Sequence, residues 1–311
     1  MPKALMFAGS CNGALPYVRN PKGVGISAFR VDLGTGAAEH LADETDVLNP
    51  TFVAMSADGR SLLASSELAG AAEGMLSAYA VDPASGRLGL LSRVGTRGAT
   101  PAHVSFDHSG RYAASVNYGD VALPASAGAS VVVYRRGPGG EIEAVTSQAT
   151  ISGHGPDAAR QDRPHAHCVR WTPDNRFVVV ADLGVDRLVV FRFDATAGSL
   201  TKHGEAELAP GAGPRHFVFD AGGAHAYVAN ELNSTLTSFA VDPETARFTP
   251  LAAEPTVPAG FSGTNYPAAV QLAPDGKHVF VANRFHDSIA RFAIDSGGAA
   301  RLVDEIPSGG S

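Results

Sequence analysis

Short apolar and β-branched runs alternate with turn clusters along the whole chain, and no stretch sustains a helical period. The stretch from Arg163 to Gly184, RPHAHCVRWTPDNRFVVVADLG, displays the unit most clearly. It predicts a strand from His167, a tight turn at Pro173-Asp174-Asn175 and a second strand from Phe177. Apolar runs flanking a turn are the local signature of a β-hairpin. The pattern recurs as FVAMSADGRSLLAS from Phe52, HVSFDHSGRYAASV from His103, FVFDAGGAHAYVAN from Phe217 and AVQLAPDGKHVFVAN from Ala269.

A second phrase also recurs, as in LSAYAVDPASGRL from Leu76, RLVVFRFDATAGSL from Arg187 and LTSFAVDPETARF from Leu236. In most copies an aromatic closes one strand, a turn follows, and a short last strand comes after. Hairpin plus phrase makes four antiparallel strands in about 50 residues, the period of a β-propeller blade. One such unit cannot bury both faces alone and must stack on copies of itself. The predicted fold class is therefore all-β, and with no linker in the array, residues 1–311 read as one domain.

Five hairpins are complete, but six second phrases are present. The chain opens on ALMFAGS, a second strand without its first, and stops at EIPSGGS, where another hairpin would begin. The expectation is a seven-bladed ring whose last blade is missing from this chain; a six-bladed ring with unusual closure is the alternative.

In a blade, the start of the first strand and the end of the second share one mouth, and the tight turns lie at the other. The longer connections Cys11–Gly25, Ala69–Gly74, Gly119–Ala129 and Ser152–Arg163 all fall on the first of these, which marks it as the working face. First strands there begin with Pro101-Ala102-His103, Pro164-His165-Ala166-His167 and Pro214-Arg215-His216. Second strands end with Asn117-Tyr118, Asp182, Asn230-Glu231 and Asn283-Arg284. Imidazoles, guanidiniums and a carboxylate around one opening suit a small anionic ligand.

Each of these residues has more than one reading. His165 and His167 stand two apart on a strand and are expected to share a face. They can serve as hydrogen-bonding devices at a strand start, as zinc ligands with Glu231 or His216, or as an acid–base pair oriented by a carboxylate. Arg215 and Arg284 can form salt bridges to Glu231 or Asp182, or grip a carboxylate, a phosphate or a developing oxyanion. Asp182 and Asn117 occupy equivalent repeat positions, which favours strand-end capping over ligand contact. His154 and Asp157, in GHGPDAARQD, form either a lid or a solvated loop. No metal cluster motif, no G-x-S-x-G elbow and no strand–helix context for a phosphate loop is present.

A formal net charge of −7 gives no basic surface for nucleic acid. The N-terminal apolar run is too short for a signal peptide, and no stretch approaches a membrane span. Cys11 and Cys168 have no CxxC spacing, so two reduced thiols in a cytoplasmic, monomeric protein are expected.

The runs GATPAHVSFDHSGRYAASVNYG, RPHAHCVRWTPDNRFVVVADLGVDRL, GAGPRHFVFDAGGAHAYVANELNSTL and PDGKHVFVANRFHDSIARF resemble the seven-bladed propeller lactonase family. That family includes bacterial 6-phosphogluconolactonases and fungal 3-carboxy-cis,cis-muconate cyclases. The resemblance covers the whole chain and implies seven blades and a site without cofactor. It implies catalytic roles for His167, Arg215 and Glu231, matched by PHAH, GPRH and NEL, with Arg284 as a second arginine. His103, His165, His216, Asn117 and Asp182 complete the expected substrate-binding set. One departure stands out: NYPAAVQLAPDG lacks the charged or imidazole group that relatives carry near Ala269–Gln271. The expected activity is hydrolysis of a sugar lactone, with 6-phosphogluconolactone preferred. The alternatives are a cyclase or lyase acting on an unsaturated polycarboxylate, and a propeller that binds without turnover.

Overall fold

The structure is a computed structural model and describes residues 2–18, 20–119 and 128–309. Most of the predicted loop Gly119–Ala129, and the end of EIPSGGS, lie outside these residues. The chain is all-β and its packing divides into two compact units: residues 1–150 with 196–199, and residues 151–195 with 200–311.

The first unit holds β1 (Lys3–Gly9), β2 (Ile26–Asp32) and β3 (Ala38–Glu44) in one antiparallel sheet. A second sheet contains β4 (Pro50–Met55), β5 (Ser61–Ser66), β6 (Met75–Val81) and β7 (Leu88–Gly95), and a third β8 (Pro101–Phe106), β9 (Tyr112–Asn117), β10 (Val131–Arg136) and β11 (Ile142–Ala149). The second unit holds three four-stranded sheets. These are β12 (Ala166–Trp171), β13 (Phe177–Asp182), β14 (Arg187–Asp194) and β15 (Ser199–Glu207); β16 (Pro214–Phe219), β17 (His225–Asn230), β18 (Thr235–Asp242) and β19 (Arg247–Pro255); and β20 (Tyr266–Leu272), β21 (His278–Arg284), β22 (Ser288–Ile294) and β23 (Ala300–Pro307). Strands neighbour in chain order within every sheet, which is the blade of a β-propeller. The described residues form six such sheets, five of them four-stranded.

The hairpin turns follow from their sequence. Gly59, Gly110, Asn175, Gly223 and Gly276 occupy the same turn position with φ of 69, 71, 61, 70 and 68°. Glycine takes that left-handed conformation without steric cost, and asparagine is the residue that best replaces it. In the β12–β13 copy, Asp174 accepts from the Thr172 hydroxyl at 2.6 Å and the Arg176 amide at 3.0 Å.

Each sheet buries apolar side chains against its neighbour within the same unit. Cys168, Phe177, Val179, Leu188 and Val190 pack with Phe217, Val228, Phe239 and Phe248. On the other side Tyr227, Ala229 and Leu236 meet Val270, Val281 and Phe292. Each fully buried side chain of this size contributes about 1.5–3 kcal/mol. No helix among the described residues is long and apolar enough to cross a membrane.

The first strand of each four-stranded sheet carries a bulge next to its first residue, or next to its second in β20. Ala166 pairs Asp182 while Cys168 pairs Ala181, which leaves His167 without an opposite residue. Pro214 pairs Asn230 while His216 pairs Ala229, which gives Arg215 the same place. Thr51 and Ala102 fill it in β4 and β8, and Ala268-Ala269 in β20. A bulge releases a residue from the ladder and re-aims its side chain. The expectation that His165 and His167 share a face is corrected by this: His165 precedes β12, and the bulge interrupts the alternation.

Candidate active site

The second unit gathers its charged groups around Glu231, the residue that follows β17 and is 4% exposed. The Glu231 amide donates to the Gly213 carbonyl at 2.8 Å, which ties it to the segment that enters β16. One carboxylate oxygen, Oε1, accepts from Arg160 Nη2. The other, Oε2, accepts from Arg215 Nε at 3.0 Å and Arg284 Nη2 at 2.5 Å. Three guanidiniums thus converge on one buried carboxylate, from the loop before β12, the β16 bulge and the end of β21. Their side chains are exposed to different degrees: 17% for Arg215, 32% for Arg160 and 44% for Arg284. Burial, reinforced by the charge of Arg284, pulls the Arg215 guanidinium down to about 10, against the opposing pull of Glu231.

Tyr266, at the start of β20, forms the floor under the two outer arginines. The guanidinium carbons of Arg160 and Arg284 stand 5.5 and 5.8 Å from its ring centre, within range of cation–π attraction. Arg284 Nε also donates to the Tyr266 carbonyl at 3.2 Å. On the inner side, Arg215 Nη1 lies 3.3 Å from His216 Nε2. A guanidinium has no acceptor, so in this contact His216 Nε2 accepts. The His216 ring meets that of His167 edge-on at 5.2 Å. His165 and His216 are buried, and His167 is half-buried.

The remaining predicted residues have structural surroundings. Asp182 is fully buried; its Oδ1 accepts from the His165 amide at 2.7 Å and the Gly184 amide at 3.0 Å. Burial, with the charge of Asp186 adding to it, pushes the Asp182 carboxyl up to about 7 despite those amides. His165 reaches Asp162 through Nε2 at 3.3 Å. Asn117 and His103 belong to the first unit. There Asn117 Nδ2 donates to the Thr96 and Ala129 carbonyls at 2.8 Å each, and His103 packs its ring on Phe52 at 4.0 Å. Asn283 does similar work in the last sheet, donating to the Thr256 carbonyl and the Ser288 hydroxyl.

Arg160 was not singled out by the sequence. It sits in GHGPDAARQD, where Asp157 Oδ1 accepts from the Ala159 and Arg160 amides at 2.9 and 3.2 Å and closes a turn. Buried Gln161 anchors that turn, donating to the Leu183 carbonyl at 2.8 Å and to Asp186 Oδ1 at 2.7 Å. Asp186 also accepts from the Gly211 and Gly213 amides at 2.7 Å each. One side chain thus holds the segments that deliver Arg160, Arg215 and Glu231. The available signal was Asp157 itself, whose side chain favours such turns. His154 is exposed and contacts only the neighbouring Gly155 carbonyl among its described hydrogen bonds. Among the described residues no group of three or more His, Cys, Asp or Glu stands together as metal ligands, and both cysteines are free thiols.

Comparison with known proteins identifies the family. Residues 8–311 match the family described as lactonase, 7-bladed beta-propeller. A 6-phosphogluconolactonase of Bacillus subtilis is 31% identical over 92% of this chain and 79% of its own length. The crystal structure of a putative 6-phosphogluconolactonase from Bacteroides fragilis superposes with a TM-score of 0.84 at 28% identity, covering 98% of this chain and 82% of that one. The periplasmic gluconolactonase of Pseudomonas aeruginosa superposes with a TM-score of 0.88 at 28% identity, covering 100% of this chain and 84% of that one. From its blades and its matched length, the chain belongs to the lactonase family of seven-bladed β-propellers.

Proposed function

We propose that this chain is a lactonase that opens a sugar lactone, with 6-phosphogluconolactone as its preferred substrate. The observation that carries the reading is the convergence of three guanidiniums on Glu231 beside the half-buried His167. Arg160 and Arg284, the more exposed pair, take the phosphate. Arg215, the most buried, donates to the lactone carbonyl oxygen as negative charge develops on it. Glu231, with both oxygens already accepting, holds the three arginines in register.

That assignment leaves His167 as the general base. It removes a proton from water as the water oxygen attacks the carbonyl carbon, and a tetrahedral oxyanion forms against Arg215. When the bond from that carbon to the ring oxygen breaks, the His167 proton passes to the ring oxygen, giving a hydroxyl and a carboxylic acid, which releases its own proton to solvent and leaves as the carboxylate. A δ-lactone already hydrolyses in water, so positioning and one proton relay account for the remaining acceleration. The same reading takes residues 1–311 as one propeller domain that holds six sheets of a seven-bladed plan, active as a cytoplasmic monomer. The family's description supports the blade number, and six sheets lie within the described residues.

The test is ring opening followed by pH-stat on fresh 6-phosphogluconolactone, gluconolactone and a muconolactone. The wild type is expected to prefer the phosphorylated lactone, and Arg160→Ala to lose that preference through KM. Arg215→Ala is expected to lower kcat about a hundredfold or more on every lactone. A folded wild type that accelerates no lactone refutes the reading, and preference for the muconolactone replaces it with the cyclase alternative.

A further inference from the structure

Three turns of equal span join second to third strands in the second unit: Asp182 to Arg187, Asn230 to Thr235 and Asn283 to Ser288 are paired ends of their ladders. All three place the residue before the third strand in the left-handed region, with φ of 54° at Asp186, 56° at Ser234 and 52° at Asp287. That conformation is what the turn requires. The third turn adds another left-handed residue, Phe285 with φ of 69°, where its sisters have Gly184 and Leu232 outside that region. A bulky residue there is strained, and strain that the turn itself does not impose concentrates at functional sites.

The strained conformation holds the Phe285 side chain 66% exposed. Its ring meets Tyr266 at 5.5 Å and an interplanar angle of 82°. Tyr266 is the floor beneath Arg160 and Arg284, so through it the exposed Phe285 ring stands beside the charged site. Arginines beside an open aromatic surface match a ligand with an anionic end and an apolar flank. A pyranose lactone is such a ligand: its oxygens project from the rim, and its C–H bonds present an apolar face.

We infer that Phe285, braced edge-on by Tyr266, is the substrate's stacking platform, taking the C–H face of the sugar-lactone ring while the arginines hold its anionic end. The inference rests on the lactonase reading above and deepens it. The platform contributes to binding of the ring in ground and transition states alike, so it acts on KM rather than on kcat. It is blind to the phosphate, which separates it from Arg284.

The experiment compares wild type with Phe285→Ala, Phe285→Gly, Phe285→Tyr and Arg284→Ala in the full chain. KM and kcat are measured on fresh 6-phosphogluconolactone and gluconolactone, together with thermal melting. Phe285→Ala and Phe285→Gly are expected to raise KM about five- to tenfold on both lactones, with kcat little changed. Phe285→Tyr restores KM, and Phe285→Gly melts above Phe285→Ala because glycine accepts the backbone angle freely. Arg284→Ala, in contrast, changes the ratio of the two KM values. An active wild type whose KM is unaffected by Phe285→Ala and Phe285→Gly overturns the platform alone. A loss confined to kcat overturns it equally. A wild type that opens neither lactone removes the lactonase reading and the platform together.

Discussion

Replacing Glu231 by glutamine keeps the length of the side chain and removes the charge on which three guanidiniums converge. The cost is set by how buried each partner is. Arg215, with a side chain 17% exposed, loses its carboxylate where water replaces it poorly. Breaking a buried pair by removing one member costs about 3–5 kcal/mol, mostly as the penalty of the stranded charge. Arg160 and Arg284 are 32% and 44% exposed and can rehydrate, so each adds only about 0–1 kcal/mol. Repulsion between Arg215 and Arg284, already present in the native protein, is then no longer offset. The glutamine carbonyl still accepts one hydrogen bond, which places the expected loss near the lower bound, about 3 kcal/mol.

Urea unfolding of wild type, Glu231→Gln, Arg215→Met and the double variant measures this as a coupling energy. The double variant is expected to be more stable than Glu231→Gln alone, because it removes the stranded charge. Inorganic phosphate supplies a second, independent readout. It is expected to raise the melting temperature of Glu231→Gln more than that of wild type, since the arginines then lack their internal anion. A loss below about 1 kcal/mol with no coupling to Arg215 would refute the claim that Glu231 organises the cluster. Equal stabilisation of both proteins by phosphate would refute the competition.

Asp182 supplies a pH-dependent prediction. Its folded value near 7 lies above its ordinary 3.8, so the native state binds the extra proton and stability falls as pH rises from about 4 to 7. Asp182→Asn should abolish that slope, at most about 1.4 kcal/mol per pH unit, and raise stability above pH 7 in urea titrations at several pH values. A slope that survives the substitution would assign the pH dependence to other groups. Asp186→Ala strands the amides of half-buried Gly211 and buried Gly213 and one N–H of the Gln161 amide group, at about 1–3 kcal/mol for each buried donor left without a partner. Its kcat/KM for any lactone should fall with its melting temperature. Asp186→Asn, retaining one oxygen, should be intermediate in both; full activity in Asp186→Ala would remove Asp186 from the framework of the site.

The repeat was legible because blades are defined by local chemistry: a turn glycine or Asn175, alternating apolar residues, and an aromatic closing the third strand in most copies. Strand-end capping was legible too, since aligning the copies places Asp182 with Asn117, Asn230 and Asn283, and all four accept or donate hydrogen bonds at the end of an inner strand. The chemistry was harder to read, because it depends on departures from the repeat that are set by packing. Period-two alternation puts His165 and His167 on one face, but the bulge after Ala166 takes His167 out of the ladder and leaves His165 buried before the strand. A bulge recurs at this place in every four-stranded sheet, one residue long in four of them and two in β20, so it is a feature of the fold whose occupant varies. Ala102 and the Ala268-Ala269 pair put methyl groups there, whereas His167 and Arg215 put an imidazole and a guanidinium. In β20 the bulge holds only the two alanines, and Tyr266 nearby supplies a ring for Arg160 and Arg284. Arg160 lay beyond sequence reasoning for a related reason. Its direction is fixed by Gln161 and Asp186, and nothing local in GHGPDAARQD says that Gln161 is buried. A fold built from copies constrains the positions at its working edge more tightly than the residues that fill them, and function follows from the filling.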